Sequence, residues 1–63
     1  MLYELIKSLC KDKGISIRRL ERECGLSYGS VSKWNVSSPS AESLYKVANY
    51  LGTSFDILMK EVS

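Results

Sequence analysis

The stretch of sequence that decides the fold spans residues 14–34 and reads GISIRRLERECGLSYGSVSKW. Ser16 is placed to cap a helix that runs to Cys24, because a serine hydroxyl can accept a hydrogen bond from an amide of the first turn. Gly25 then ends this helix, and Ser27 is placed to cap the next one. So short a glycine-containing turn does not let the two helices lie antiparallel. The stretch therefore predicts a helix-turn-helix, in which the second helix is pushed outward from the body, and the alternative is a generic short helical hairpin with the same pattern.

Apolar residues at helical spacing predict three further helices around this pair. The first covers residues 2–13 and ends at Gly14, whereas the other two follow a loop at residues 35–40 and begin after Ser40 and Ser54. No stretch alternates with period two for long enough to be a strand. The residues predicted to face the core are Leu2, Leu5, Ile6, Leu9, Cys10, Leu20, Cys24, Leu26, Val31, Trp34, Leu44, Val47, Ala48, Leu51, Phe55, Leu58 and Met59.

The pattern as a whole predicts an all-α fold. The third helix is expected to run to about Trp34 or Asn35, and the fourth is expected to end at Gly52. There is no repeat, no low-complexity segment and no linker long enough to divide the chain. We therefore expect one compact domain of five short helices over residues 1–63, with helices 2 and 3 forming the helix-turn-helix.

Length and composition weigh against several classes of function. A chain of 63 residues buries only about 60% of the surface that its unfolded form exposes, so a catalytic cleft would consume most of the core. The chain has no histidine, which is the commonest general acid or base and the commonest metal ligand. We expect no catalytic residues, no metal site and no cofactor.

The two cysteines and the start of the chain bear on its location. Cys10 and Cys24 form no CxxC pair and are expected to face a reduced interior, although the sequence leaves a single disulfide open. No apolar run approaches the length of a membrane span, and the first residues carry an acid rather than a basic segment. A cytoplasmic protein with no membrane partner is expected. The net charge of +2 is compatible with a nucleic-acid partner but does not argue for one.

The run over residues 14–27, followed by VSKW at residues 31–34, resembles the XRE or Cro/phage-repressor helix-turn-helix family. The segments PSAESL at 39–44 and LGTSFDIL at 51–58 are similar to the entries of the family's fourth and fifth helices. The resemblance covers nearly the whole chain and keeps the order and spacing of every element. It implies a five-helix, lambda-repressor-like domain that lays its third helix in the DNA major groove, usually as a dimer on a two-fold site.

The resemblance also implies which residues meet DNA when it is carried over position by position. Tyr28 and Gly29 lie where the family reads base edges, and Lys33 lies one turn further along the same helix. Val31 and Trp34 match positions that pack inward. Contacts to phosphates or bases are implied for Ser27, Ser30 and Ser32.

The second helix carries a basic cluster of Arg18, Arg19 and Arg22. Phosphates of a bound duplex would run past these residues, and arginine is well suited to contact them. Glu21 and Glu23 are interleaved with the arginines, so a solvated, charged face is the alternative. We select Arg18 and Arg19 as predicted phosphate contacts.

Three residues of the reading helix also have two interpretations each. Lys33 can donate to the O6 and N7 atoms of guanine, or it can be a solvated lysine on a helix face. Tyr28 can contact a thymine methyl group or a phosphate, or it can cover the seam between the helices. For Trp34, packing into the core is favoured over stacking on a base.

The chain departs from the family pattern at several positions. Ile17 stands where the family often has a glutamine, and it cannot donate a hydrogen bond from its side chain. Glu21 stands where a small residue is usual, so it is expected to point partly to solvent or to find a partner such as Arg18 or Lys33. The loop at residues 35–38 has no basic residue, whereas this loop is often basic in the family.

Two hypotheses for the function follow. The first is a sequence-specific, double-stranded DNA-binding regulator of transcription, namely a phage or bacterial repressor that binds a pseudo-palindromic operator as a homodimer. The alternative is a protein-interaction module of the same fold, such as an antirepressor, an antitoxin fragment or a docking domain, and Ile17, Gly29 and the uncharged loop motivate it. The candidates for a dimer contact are Tyr50, Ile57, Met59 and Val62.

Overall fold

The computed structural model describes residues 2–62 of the chain. These residues form five helices and no strand, which confirms the all-α prediction. The helices are α1 (Leu2–Lys13), α2 (Ile17–Glu23), α3 (Ser30–Lys33), α4 (Ala41–Leu51) and α5 (Phe55–Met59).

Three of the helices begin as the serine positions predict. The hydroxyl oxygens of Ser16, Ser40 and Ser54 each accept a hydrogen bond from a backbone amide of the following helix, so that α2, α4 and α5 have local side-chain caps. The donating amides are those of Arg19 at 3.0 Å, Ser43 at 3.1 Å and Asp56 at 3.1 Å.

Helices α1, α2 and α4 each end at a glycine in the left-handed conformation, as predicted. At the end of α2, Gly25 has φ +71°, and the amide of Leu26 donates to the carbonyl of Glu21 at 2.7 Å. The same pattern of returning hydrogen bonds closes α1 at Gly14 and α4 at Gly52. These ends set the directions in which the chain leaves each helix.

The core receives side chains from every helix. Leu20 of α2, Val31 of α3 and Leu58 of α5 have no exposed surface. The remaining buried apolar residues are Leu2, Ile6, Cys10, Cys24, Leu44, Val47, Ala48 and Leu51. Because α2 and α3 are anchored in the same core as α1 and α4, their outer faces are held in a fixed relation to the body.

The prediction for α5 was wrong at one position. Met59 was expected to face the core, but it is 42% exposed, whereas Leu58 beside it is fully buried. A helix of five residues has one inward direction, and Leu58 occupies it. Phe55, one turn earlier, is half-buried against the core. Trp34 is likewise half-buried and packs against the core, which confirms its predicted structural role.

Both cysteines are buried free thiols, and no disulfide joins them. Burial raises the pKa of the Cys10 thiol above its ordinary value, and the nearby Cys24 adds to the shift. Burial also raises the pKa of Cys24, although Lys46 acts in the opposite direction. Both side chains therefore remain neutral thiols at pH 7 and pack as small apolar groups.

Between residues 2 and 62, no helix is long and apolar enough to cross a membrane. The same part of the chain contains no cluster of three or more histidine, cysteine, aspartate or glutamate side chains that could hold a metal ion.

Candidate nucleic-acid interface

The turn between α2 and α3 is shaped by two glycines at positive φ. Gly25 follows α2 with φ +71°, and Gly29 precedes α3 with φ +85°. Both are in the left-handed region, which a residue with a Cβ atom enters only at a cost. Between them, Leu26 is half-buried and packs against the core, as the sequence predicted. Leu26 thus anchors the turn on the core, and the chain continues from there to Gly29 and α3.

Helix α3 begins later than predicted, and Ser27 does not cap it. The helix starts at Ser30, and its N-cap residue is Gly29, which has no side chain with which to cap. Ser27 contributes its backbone instead, because its carbonyl accepts a hydrogen bond from the amide of Ser30 at 3.0 Å. The left-handed conformation of Gly29 separates Ser27 from the helix, and this is why the predicted serine cap does not form. The helix also ends at Lys33, slightly before the predicted Trp34 or Asn35.

The missing cap is supplied by Glu21 of α2. Its side chain is 3% exposed, and its two carboxylate oxygens accept hydrogen bonds from two different backbone amides. One oxygen accepts from Gly29 at 3.1 Å, and the other accepts from Val31 at 2.9 Å. Glu21 thus spans the turn and holds both amides at the start of α3.

Glu21 was expected to point partly to solvent or to find a partner such as Arg18 or Lys33. It is buried and does find partners, but they are the backbone amides of Gly29 and Val31 and not a basic side chain. A buried carboxylate is costly unless it is hydrogen-bonded, and two charge-assisted bonds to backbone amides meet that requirement. The positive end of a helix also favours a negative charge. A usable signal was present in the sequence: an acid replaces the usual small residue one turn before the helix end, on the side that faces the next helix.

The residues predicted to contact DNA differ in exposure. Tyr28 is 74% exposed, whereas Val31, which was predicted to pack inward, has no exposed surface. Gly29 and Ser30 are half-buried, as expected for positions at the start of α3, where Glu21 accepts hydrogen bonds from the amides of Gly29 and Val31. The other predicted contacts, which are all exposed, are Arg18, Arg19, Ser27, Ser32 and Lys33.

Two of the predicted contacts meet each other across the turn. The guanidinium carbon of Arg18 lies 4.7 Å from the centre of the Tyr28 ring, which is a cation–π arrangement. Arg18 belongs to α2 and was predicted to contact a phosphate, whereas Tyr28 precedes α3 and was predicted to contact a base. The structure thus joins the basic face of α2 to the turn that precedes α3. Sequence reasoning did not anticipate this contact.

The loop after α3 closes the other end of that helix. The amide and the hydroxyl of Ser37 both donate to the carbonyl of Lys33, at 2.9 and 3.1 Å. Val36, next to Ser37, is 90% exposed. The loop therefore presents serine, asparagine and one exposed valine beside α3.

The comparison with protein families agrees with this geometry. The family model described as helix-turn-helix matches residues 6–58 of the chain. This match confirms the resemblance to the XRE and Cro/phage-repressor type. No curated protein and no solved structure shows significant similarity to the chain. The matched segment contains α2, the turn and α3 together with the core that supports them, and the chain accordingly belongs to the helix-turn-helix family of DNA-binding regulators.

Proposed function

We propose that the protein is a sequence-specific regulator of transcription that reads double-stranded DNA with α3 in the major groove. The observation that carries the proposal is the two-sided character of this segment. Val31 is fully buried, whereas Tyr28, Ser32 and Lys33 are exposed. A reading helix needs one side fixed to the body and the other free to approach base edges.

Phosphate contacts come from the basic face of α2 in this proposal. Arg18 and Arg19 are both exposed and lie in the first turn of that helix. Ser27 is exposed at the turn and can donate its hydroxyl to a phosphate oxygen. Contacts of this kind fix the register of the protein on the duplex without reading its sequence.

Base contacts come from the turn and from α3. Lys33 can donate to the O6 and N7 atoms of guanine, and Ser30 and Ser32 can donate to or accept from either kind of base. The Tyr28 ring can contact a thymine methyl group. Gly29 contributes no side chain, so we assign it to close approach of the backbone to the groove.

The proposed target is a pseudo-palindromic operator bound by two copies of the chain. A two-fold site requires an isologous contact between the copies. Ile57 and Met59 of α5 are exposed and available for it, whereas Tyr50 and Val62 already pack in part against the core of their own chain. Repression then follows from occupying a promoter in the cytoplasm, and it requires neither chemistry nor a cofactor.

Enrichment of bound duplexes from a random DNA pool tests the proposal directly. The selection is made at about 0.1 M salt, where exposed charges more than about 10 Å apart are largely screened. A two-fold symmetric motif with half-sites about 10 base pairs apart is the expected result. A lone half-site would contradict the dimer, and no enrichment at all would contradict sequence-specific reading.

The second candidate function is a protein-docking module of the same fold. The observation that favours it is the loop after α3, which is uncharged over residues 35–38 and leaves Val36 90% exposed beside the reading helix. An apolar residue at this position suits a protein surface better than a phosphate backbone. Residual binding to DNA that has no sequence preference and disappears with salt would favour this candidate.

A further inference from the structure

We infer that Glu21 is the positioning residue that sets the geometry of the segment proposed to read DNA, residues 27–33. Its carboxylate bridges Gly29 and Val31, which are the residues on either side of Ser30 at the start of α3. Glu21 itself faces no base or phosphate, because it is 3% exposed. The inference rests on the proposed reading of DNA and names the residue that makes it selective.

Helix α3 cannot hold its own conformation. It has four residues, about one turn, and an isolated helix of that length is unstable in water. Its N-cap residue makes no side-chain hydrogen bond, so the start of the helix depends on other elements. At this end of the helix, the anchors are the burial of Val31 and the two hydrogen bonds to Glu21.

The two anchors restrain different motions. The buried side chain of Val31 fixes how deeply α3 sits on the core. The hydrogen bonds that Glu21 accepts fix the rotation of the first turn, because they hold two separate amides, those of Gly29 and Val31, on one carboxylate. The same residue also accepts from the amide of Leu26 through its backbone carbonyl, so both ends of the turn are attached to Glu21.

The two hydrogen bonds that Glu21 accepts from Gly29 and Val31, which we call the clamp, also determine which amides at the start of α3 remain available to an anion. Amides at the start of a helix are ordinarily available to an anion such as a phosphate. At α3, the amides of Gly29 and Val31 are already occupied by a carboxylate of the protein itself. The turn is therefore ordered before DNA arrives, and binding does not have to supply the cost of ordering it.

This arrangement predicts an unequal effect on the two kinds of DNA contact. Phosphate contacts from Arg18 and Arg19 depend on α2, which Glu21 does not hold in place. Base contacts depend on the orientation of Tyr28, Ser30 and Lys33, which the clamp sets. Loss of the clamp should reduce the preference for operator over non-operator DNA more than it reduces binding to DNA in general.

The test compares Glu21→Gln with Glu23→Gln on the full chain. Both variants remove one negative charge from α2, but Glu23 is exposed whereas Glu21 is clamped to α3. A glutamine at position 21 keeps the size of the side chain and places an N–H₂ group against one of the two amides, so one bond is lost. Affinity is measured for the selected operator and for a scrambled duplex, with circular dichroism confirming that each variant is folded.

We expect Glu21→Gln to lower the ratio of operator to scrambled affinity by about tenfold, with an unchanged salt slope, since no phosphate contact is lost. Glu23→Gln should leave the ratio unchanged. Equal losses on both duplexes, or an unchanged ratio in Glu21→Gln, would overturn the inference while leaving DNA reading intact. If the wild-type protein shows no preference between the duplexes, the proposed function itself fails, and the role of Glu21 in it fails too.

A second measurement covers the case in which Glu21→Gln does not fold. In the wild-type protein without DNA, the amides of Gly29 and Val31 should exchange with solvent as slowly as amides inside α4. In Glu21→Asp, which keeps the charge but shortens the side chain by one methylene group, they should exchange at least about tenfold faster than α4 amides. Fast exchange in the wild-type protein, or unchanged exchange in Glu21→Asp, would overturn the clamp.

Discussion

Helices α4 and α3 obtain their order in opposite ways. Helix α4 has 11 residues, a serine cap at its start, a left-handed glycine at its end and four buried side chains. Helix α3 has four residues, a glycine at its N-cap position and one buried side chain, Val31. Helix α4 is capped by Ser40, one residue before its start. Helix α3 is capped by Glu21, nine residues before its start.

The difference shows which of the two helices can be altered without disturbing other elements of the fold. Order in α4 is encoded within the helix and its two flanking residues, so a change there acts locally. Order in α3 is a property of the whole α2–turn–α3 unit, because the clamp, the turn and the buried contact belong to different elements. The segment proposed to read DNA is therefore the one that depends most on its neighbours.

The largest expected effect comes from Glu21→Ala. This change leaves the amides of Gly29 and Val31 without their acceptor in a largely buried place, at a cost of about 3 kcal/mol in the free energy of unfolding. For a domain of this size, about 1 kcal/mol corresponds to about 4–8 °C in Tm, so thermal unfolding should show a drop of about 12–24 °C. Urea unfolding followed by circular dichroism provides the free energy directly.

The matched control for that change is Glu23→Ala, which removes the neighbouring exposed acid from the same helix. Its effect should stay within about 0.5 kcal/mol, as for most surface substitutions. Equal stability losses in the two variants would mean that the clamp contributes nothing beyond the charge of α2.

The next largest effect is expected for Lys33→Ala. Lys33 is exposed on α3, so its removal should leave the melting temperature nearly unchanged. Loss of a base contact should weaken operator binding by about 1–3 kcal/mol and relax the sequence preference at one position. Titration of labelled operator measures the first effect, and a repeated selection measures the second.

Lys46→Ala provides the comparison, because it removes the same charge from α4. Lys46 forms an exposed ion pair with Glu42 at 3.3 Å, which contributes little to stability. If both lysine variants weaken operator binding equally, Lys33 acts only through net charge. The docking-module hypothesis predicts that neither variant changes DNA binding selectively.

A smaller effect is expected for Ser40→Ala in the local cap of α4. Removal of a serine cap typically costs about 1 kcal/mol, which is less than the loss expected at Glu21. The ratio of operator to scrambled affinity should not change, because α4 carries no predicted base contact. A change in that ratio would show that the two helices are more closely coupled than their capping suggests.

The same contrast explains what the sequence predicts well. Spacing along the chain is enough to locate the serine caps and the glycine ends of the helices. The serines before α2, α4 and α5 accept hydrogen bonds from amides two or three residues away, and the glycines after α1, α2 and α4 end the helix just before them. The buried stripes of α1 and α4 follow from helical periodicity for the same reason. Local chemistry and core burial agree at these positions, and the prediction of five helices was confirmed there.

The start of α3 could not be located in that way. Ser27 has the sequence context of a cap, but the left-handed Gly29 detaches it from the helix, and the true acceptor lies on another element. Capping by a residue several positions away depends on which side chain the crossing of two helices brings against the helix start. The turn predicts that α2 and α3 cross, but helical spacing alone does not show that Glu21 meets the amides of Gly29 and Val31. The contact between Arg18 and Tyr28 was missed for the same reason, whereas the exposure of Lys33 followed from its helical phase.

The smallest expected effect concerns that contact between Arg18 and Tyr28. An exposed cation–π pair contributes about 0.5–1 kcal/mol, which is close to the error of an unfolding experiment. A spectroscopic measurement is therefore sharper: the side-chain protons of Arg18 should be shifted upfield by the ring current of Tyr28 in the free protein. Tyr28→Phe keeps the ring and should keep the shift, whereas Tyr28→Leu should abolish it.

The same two variants separate the roles of the ring and its hydroxyl in binding. If the ring only orients Arg18 towards a phosphate, Tyr28→Phe should bind operator like the wild-type protein, and Tyr28→Leu should weaken operator and scrambled DNA alike. If the hydroxyl reads DNA directly, Tyr28→Phe should already lose affinity. Absence of the upfield shift in the wild-type protein would remove the contact as a link between α2 and the turn, and Glu21 would remain as the side chain that joins them.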